Sequence, residues 1–192
     1  MEYRLIVMGT SYGGMKALGT ILPALPENFP LPIAIVQHLS ADSDSYMVGH
    51  LNSVCKIQVK EAEEKELLQS GVAYIAPEDY HLLVEDDMSL SLAADNKVNF
   101  SRPAIDVLFE TAAFSLGPLV IGVILTGANT DGSIGLKKIK EGNGLAVVQS
   151  PETSVASAMV VGAIEKVAVD YILPLSEIAP FLIELTRVNR SC

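Results

Sequence analysis

The chain has 192 residues, 49% of them hydrophobic, which suits one domain with a sizeable core. Its 13 basic and 23 acidic residues give a formal charge of -10, which repels nucleic acid and anionic lipid, and no local basic patch offsets it. Cys55 and Cys192 lie too far apart to suggest a disulfide framework or a zinc pattern, and the N-terminus carries no secretory signal, so the expected location is the cytoplasm.

The first element is an apolar run, Leu5-Ile6-Val7-Met8, which enters Gly9-Thr10-Ser11-Tyr12-Gly13-Gly14 and leaves through the helix-compatible Met15 to Leu18. This reads as strand, tight turn, helix. The spacing Gly9-x-Ser11-x-Gly13 matches a nucleophile elbow, where glycines permit the sharp turn that pushes a serine hydroxyl out of a sheet. Glycine-rich first turns also bind phosphate or merely admit a helix, so the pattern alone leaves the serine's role open. After a proline-rich connection, Ile33-Ala34-Ile35-Val36 is a second buried strand, ending in Gln37-His38. Parallel pairing of the two strands would bring His38 to the sheet edge that carries Ser11.

Residues 43–54 look helical and contain His50, 56–60 alternate as an exposed or edge strand, and the acidic run Glu61 to Glu66 reads as a solvated surface. Gly71 to Pro77 holds a further strand. Residues 80–84 and 88–92 flank Glu85-Asp86-Asp87 as an antiparallel hairpin, with His81, like His50, assigned to the surface. Arg102-Pro103 opens a helix running through Phe109, with proline in its first turn. Residues 111–130 carry no charge, but Gly117-Pro118 splits them. The remainder, Leu119 to Leu125, is short of the ~20 residues a membrane helix needs and reads as the central buried strand, so no membrane insertion is expected. The loop 126–132 leads into a helix over 134–141, then a strand over 145–148; residues 153–187 give a helix, a short strand near Tyr171-Ile172-Leu173 and an amphipathic helix. The alternation predicts one α/β domain over 1–192: a doubly wound, mostly parallel sheet with helices on both faces and a small antiparallel hairpin excursion.

Three strand ends thus carry Ser11, His38 and Asp131, the residue types of nucleophile, general base and orienting acid. A serine needs an imidazole to take its proton, and a carboxylate to hold the imidazole in one tautomer; the helix after Ser11 would present N–H groups to an oxyanion. Taken singly, Asp131 also reads as a helix cap and His38 as a partly buried polar residue. Other chemistries lack their signatures. The first turn has no G-x-G-x-x-G or Walker lysine, the histidines make no H-E-x-x-H, and no metal or cofactor is implied. A conventional α/β-hydrolase would place its histidine after the acid, whereas no histidine follows His81 here.

In that order and spacing, the strings Gly9 to Gly14, Val36-Gln37-His38, Ala73-Tyr74-Ile75-Ala76-Pro77, Arg102 to Phe109, Gly122 to Gly127 and Asp131-Gly132 resemble the catalytic domain of the CheB-type chemotaxis protein-glutamate methylesterases. The resemblance covers nearly the whole chain. It implies a mostly parallel α/β sheet, a Ser11-His38-Asp131 triad without cofactor, and hydrolysis of glutamate methyl esters on the cytoplasmic helices of methylated chemoreceptors, with deamidation of receptor glutamines as a second reaction. Tyr12, Gly13, Gly127, Ala128 and Asn129 would line the oxyanion and substrate pocket. Arg102 would contact the substrate carboxylate or an acidic receptor surface, or else simply start its helix. The family usually carries a receiver domain ahead of the catalytic domain. This chain starts at the first strand, so it is read as a catalytic domain with no receiver domain, and a separate receiver or kinase protein becomes a candidate partner. Tyr12 stands where the family has threonine, and Gly127-Ala128-Asn129-Thr130-Asp131-Gly132 where it has Gly-Met-Gly-Asn-Asp-Gly; these changes line the expected pocket and would narrow access to Ser11 or reshape the substrate slot. A weakened signalling or binding module of the same fold, and a serine esterase with another substrate, remain the alternative readings. Docking on an acidic receptor by a chain of charge -10 calls for a local, less negative face near the site.

Overall fold

The apolar runs become strands covered on both faces, as a parallel sheet between two helical layers requires. The computed structural model describes residues 3–38 and 44–188. In chain order, β1 (Leu5–Thr10) leads to α1 (Gly14–Ile21), β2 (Ile33–Gln37), α2 (Asp44–Val54), β3 (Gln58–Glu61) and β4 (Val72–Ile75). The hairpin β5 (His81–Val84) and β6 (Leu90–Ala93) follows, then α3 (Ile105–Leu116), β7 (Val120–Ile124), α4 (Ser133–Glu141), β8 (Leu145–Gln149), α5 (Ala158–Lys166), β9 (Tyr171–Leu173) and α6 (Leu175–Val188). Seven strands form one parallel sheet in the order β3-β4-β2-β1-β7-β8-β9, while β5 and β6 pair antiparallel as a separate two-stranded sheet.

The sheet winds outward in both directions from β1, which takes the middle position; β7, expected there from its apolarity, lies beside it. The crevice between β1 and β7 is therefore the switch point, the place where open α/β sheets take their ligands. Register brings the strand ends level, with Thr10 opposite Gln37 and Gly9 opposite Ile124, so the residues after β1, β2 and β7 emerge at one edge.

The period-2 alternation of each strand feeds two cores. Leu5, Val7, Ala34 and Val36 point to α3, α4 and α5, against Phe109, Leu136 and Val160; Ile6, Met8, Ile33 and Ile35 point to α1, α2 and α6, against Leu18, Leu51 and Leu182. Each fully buried side chain of this size contributes roughly 1.5–3 kcal/mol of transfer free energy. On the first face Gly122 lets the helices approach closely. A Cβ there would lie 2.7 Å from both Ile139 Cδ1 and Leu136 Cδ1.

Several local expectations change. His81, assigned to the surface, is buried (2% exposed): it starts β5 covered by the 94–104 loop, its Nδ1 accepts from Ala104 N–H and its Nε2 donates to Asn96 O. It ties the 94–104 loop to the hairpin. His50 is exposed and stacks on Tyr46. Helix α3 begins only at Ile105, with Ala104 as its N-cap, so Pro103 precedes it. The acidic run is largely solvated, with Lys60 paired to Glu63 and Glu66, while Glu64 accepts the Leu92 N–H of β6. Burial pushes the Cys55 thiol up to about 11, which disfavours its thiolate form at neutral pH, and Cys192 lies outside the described residues. Among the described residues no helix is long and apolar enough to cross a membrane.

Gly122→Val should lower stability by about 1–3 kcal/mol through overpacking against α4. Urea denaturation that shows no change would mean that α4 yields freely at this contact.

Candidate active site

Ser11 follows β1 directly and stays tied to the sheet through its own N–H, which donates to Thr126 O at 3.0 Å. The chain then turns sharply at Gly13, with φ 88°, so that α1 can begin at Gly14. A side chain at Gly13 would be doubly excluded, by that conformation and by Val155, whose Cβ lies 2.6 Å from where the new Cβ would stand. Among the described residues the N–H groups of Tyr12 and Gly13 have no hydrogen-bond partner. They lie beside the serine at the N-terminal, partially positive end of α1, an arrangement suited to an anion. The Tyr12 side chain is 66% exposed and points away from the core.

Buried amides and hydroxyls fix the elbow. Gln37 Nε2 donates both to Ser11 O at 2.9 Å and to His38 O at 2.7 Å, coupling the backbones that carry the serine and the histidine. Gly14 makes room for it, since a Cβ there would overlap Gln37 Oε1. On the other side Thr10 Oγ1 donates to Thr126 O, Thr126 Oγ1 donates to Tyr12 O, and the Thr126 N–H donates to Gln149 Oε1. Thus Gln37 at the end of β2 and Gln149 at the end of β8 flank the crevice symmetrically, both buried.

His38 follows β2, its N–H donating to Thr10 O, and its Nε2 lies 2.9 Å from Asp131 Oδ2. The contact is short but bent, with the N–H pointing off the oxygen. The two side chains are 10% and 0% exposed, so water screens the pair poorly. The other ring nitrogen, Nδ1, faces Asn129 Nδ2 at 3.3 Å. Among the described residues no hydrogen bond joins the Ser11 hydroxyl to His38.

Asp131 owes its position to α3. Its Oδ2 accepts from Ile105 N–H at 2.7 Å and its Oδ1 from Asp106 N–H at 3.2 Å, both in the first turn of that helix. Asp106, from that same turn, reaches the other way: its Oδ1 accepts from Gly135 N–H in the first turn of α4 at 2.7 Å. Asn99 Nδ2 donates to both carboxylates, at 2.8 Å each. Burial pushes both carboxyls up. For Asp131 the nearby His38 ring and the hydrogen bonds from Ile105 and Asn99 outweigh burial and hold it below its ordinary value. Asp106, with Asp131 as a like-charged neighbour and fewer donors, stays raised by its burial.

Gly127 gives its N–H to Ala156 O and accepts from Met159 N–H, and Met159 fills the space where a side chain would be. Ala128 is exposed. Arg102 donates through one terminal nitrogen to Ala94 O and Asp95 O at 2.9 Å, with Asp79 Oδ1 3.6 Å from the other, which favours its structural reading. It nevertheless lines a cavity of about 250 Å³ beside His38, with Gln37, Phe100, Lys97 and Asp79. Two cations, Lys97 and Arg102, face two carboxylates, Glu78 and Asp79, around this cavity, a balanced rim on a chain of charge -10. No cluster of His, Cys, Asp or Glu suited to a metal occurs among the described residues.

Sequence reasoning missed Asp106, Asn99 and the roles of Gln37 and Thr126. Asp106 left one signal, an acid three residues before buried Phe109 in a helix whose first turn is otherwise apolar. Asn99 left none, because it sits in an irregular loop far along the chain from Asp131.

A doubly wound α/β sheet with serine, histidine and aspartate at its switch point defines the class. The CheB methylesterase family profile matches residues 6–182. A protein of Leptospira interrogans is 53% identical over 189 residues, covering 98% of both chains. One of Halalkalibacterium halodurans, named protein-glutamate methylesterase/protein-glutamine glutaminase, is 40% identical over 182 residues, 93% of this chain but 53% of its own length. The crystal structure of the Thermotoga maritima CheB methylesterase catalytic domain superposes with a TM-score of 0.92 at 37% identity, covering 96% of this chain and 100% of that one. The chain belongs to the CheB methylesterase family.

Asn99→Ala strips both carboxylates of their shared donor and should cost about 1–3 kcal/mol at neutral pH, read by urea denaturation. Asp131 lies below its ordinary value of 3.8, so it stabilises the fold above that pH, and the contribution disappears as pH falls through its lower native value. The gap between variant and wild type should therefore narrow in acid. A gap independent of pH would show that Asn99 does not act on the charged carboxylates.

Proposed function

We propose that this chain is a protein-glutamate methylesterase that hydrolyses glutamate methyl esters on the cytoplasmic helices of chemoreceptors, with deamidation of glutamine side chains as a second reaction. The observation that carries the reading is the buried His38–Asp131 contact at the sheet edge that presents Ser11, in a chain of the CheB methylesterase family. The names of the relatives supply the substrate class.

In the proposed reaction Ser11 Oγ attacks the side-chain ester carbonyl and its proton passes to His38 Nδ1, the nitrogen opposite the one that faces Asp131. The new C–O bond leaves a tetrahedral oxyanion, which the free Tyr12 and Gly13 N–H groups would stabilise. Collapse breaks the bond to the methoxy group, His38 returns its proton to that oxygen, and methanol leaves. Water, losing a proton to His38, then attacks the acyl-serine; the second tetrahedral intermediate collapses, the C–O bond to Ser11 breaks, and His38 returns the proton to Ser11 Oγ as glutamate leaves. Glutamine follows the same path, with ammonia in place of methanol. Asp131 keeps the imidazole oriented throughout and stabilises its charged form.

The test is methanol release from a methylated chemoreceptor cytoplasmic bundle. Ser11→Ala and His38→Ala should each lower turnover by about 10³-fold or more, since members of such a triad act as a unit. A wild-type protein that releases no methanol from a receptor demethylated by an established relative would overturn the substrate assignment.

A further inference from the structure

We propose that Asn129 is a positioning residue for His38, its side-chain amide selecting the Nε2–H tautomer and capping the Nδ1 lone pair that must receive the Ser11 proton. The inference rests on the hydrolase reading given above, and deepens it.

Three contacts fix the protons. Asn129 Oδ1 accepts the Asp131 N–H at 3.2 Å, so the amide NH₂ is the end that meets His38 Nδ1 at 3.3 Å. Rotating the amide by 180° would lose that acceptor and set an NH₂ against the Asp131 N–H. An NH₂ can only donate, so Nδ1 is the unprotonated nitrogen. The hydrogen that Nδ1 lacks then sits on Nε2, which lies 2.9 Å from an ionised Asp131; the bent geometry makes this a charge contact and not a formed hydrogen bond, but a carboxylate that can only accept favours an N–H over a lone pair there. Both neighbours select the same tautomer, the one in which Nδ1 is the base.

The lone pair they expose is already engaged. Among the described residues the Ser11 hydroxyl makes no hydrogen bond to His38, and the amide of Asn129 stands at the acceptor instead. At 3.3 Å this bond is at the long, weak end for N–H donors, weak enough for a hydroxyl to displace. When Ser11 attacks a carbonyl its proton must arrive at Nδ1, and an N–H there would face the Asn129 N–H donor to donor. The amide therefore has to swing away in the first half-reaction and can return once His38 has given the proton to the leaving group. Asn129 thus keeps the serine unactivated in the resting protein and favours return of the proton to the departing methanol or ammonia. The expected consequence is the reverse of a catalytic loss: removal of the amide makes Ser11 more reactive.

The experiment compares the rate of Ser11 modification by a fluorophosphonate in the wild-type protein, Ser11→Ala and Asn129→Ala, together with the ¹⁵N resonances of the His38 ring at a pH where the ring is neutral. Asn129→Ala should react on the order of fivefold faster than wild type, the equivalent of one neutral hydrogen bond. The wild-type ring should show a protonated Nε2 and an unprotonated Nδ1, with the Nδ1 resonance shifted in Asn129→Ala. Loss of fold slows modification, so an acceleration cannot come from destabilisation. Modification of Asn129→Ala at the wild-type rate or slower, or a wild-type ring protonated at Nδ1, overturns the proposal. If neither the wild type nor Asn129→Ala is labelled, the hydrolase reading fails on its own, and the ring resonances still decide the tautomer.

Discussion

Helices α3 and α4 exchange carboxylates at their N-termini: Asp131, just ahead of α4, accepts the first N–H groups of α3, and Asp106, inside the first turn of α3, accepts an N–H of α4. Each helix begins with backbone donors that have no partner within the helix, and each carries the positive end of its peptide dipoles there. The exchange satisfies two donors of α3 and one of α4 and locks the two helix starts together beside the sheet edge. It also brings two buried acids close, a repulsive arrangement made tolerable by the Asn99 amide, which bonds to both. Asp131 ends with its two oxygens fully engaged and one of them aimed at His38, so the orientation of the imidazole follows from how two helices are capped.

The other half of the site follows from how the sheet is wound. Because β1 lies in the middle and the chain leaves it in both directions, the turn after β1 opens into the crevice between two oppositely running crossovers. Level strand ends put Ser11, His38 and the 126–132 loop within reach of one another. Gln37 and the Thr10–Thr126–Gln149 chain of hydrogen bonds then hold the carbonyls and amides of the elbow, while the Tyr12 and Gly13 N–H groups beside Ser11 have no partner among the described residues. Preorganised donors of this kind lose no reorganisation energy when negative charge develops in front of them.

Much of this was legible in the amino-acid order. Strands announce themselves through short runs of Val, Ile and Leu, and the glycines around Ser11 mark a turn that few other residues could make. Ser11, His38 and Asp131 could be picked out because each stands immediately after such a run or its loop, where a parallel sheet gathers its chemistry. His81 was misread because a hairpin that packs beneath a loop has an inward face, and four residues of strand show too little alternation to say which face that is. Asp106 and Asn99 escaped because their partner, Asp131, is distant along the chain, and no local pattern encodes a hydrogen bond across such a separation.

The sequence by itself determined the elements, their order, the sharp turn at the first strand and the residue types available at the strand ends, since these depend on side-chain periodicity and on the conformations that glycine and proline permit. Only the tertiary structure decided which strand lies at the centre, which way the two amide ends of Gln37 and Asn129 face, and which nitrogen of His38 meets a carboxylate. Those outcomes depend on donors and acceptors contributed by separate elements, and a donor acquires its acceptor only when packing has closed the distance between them.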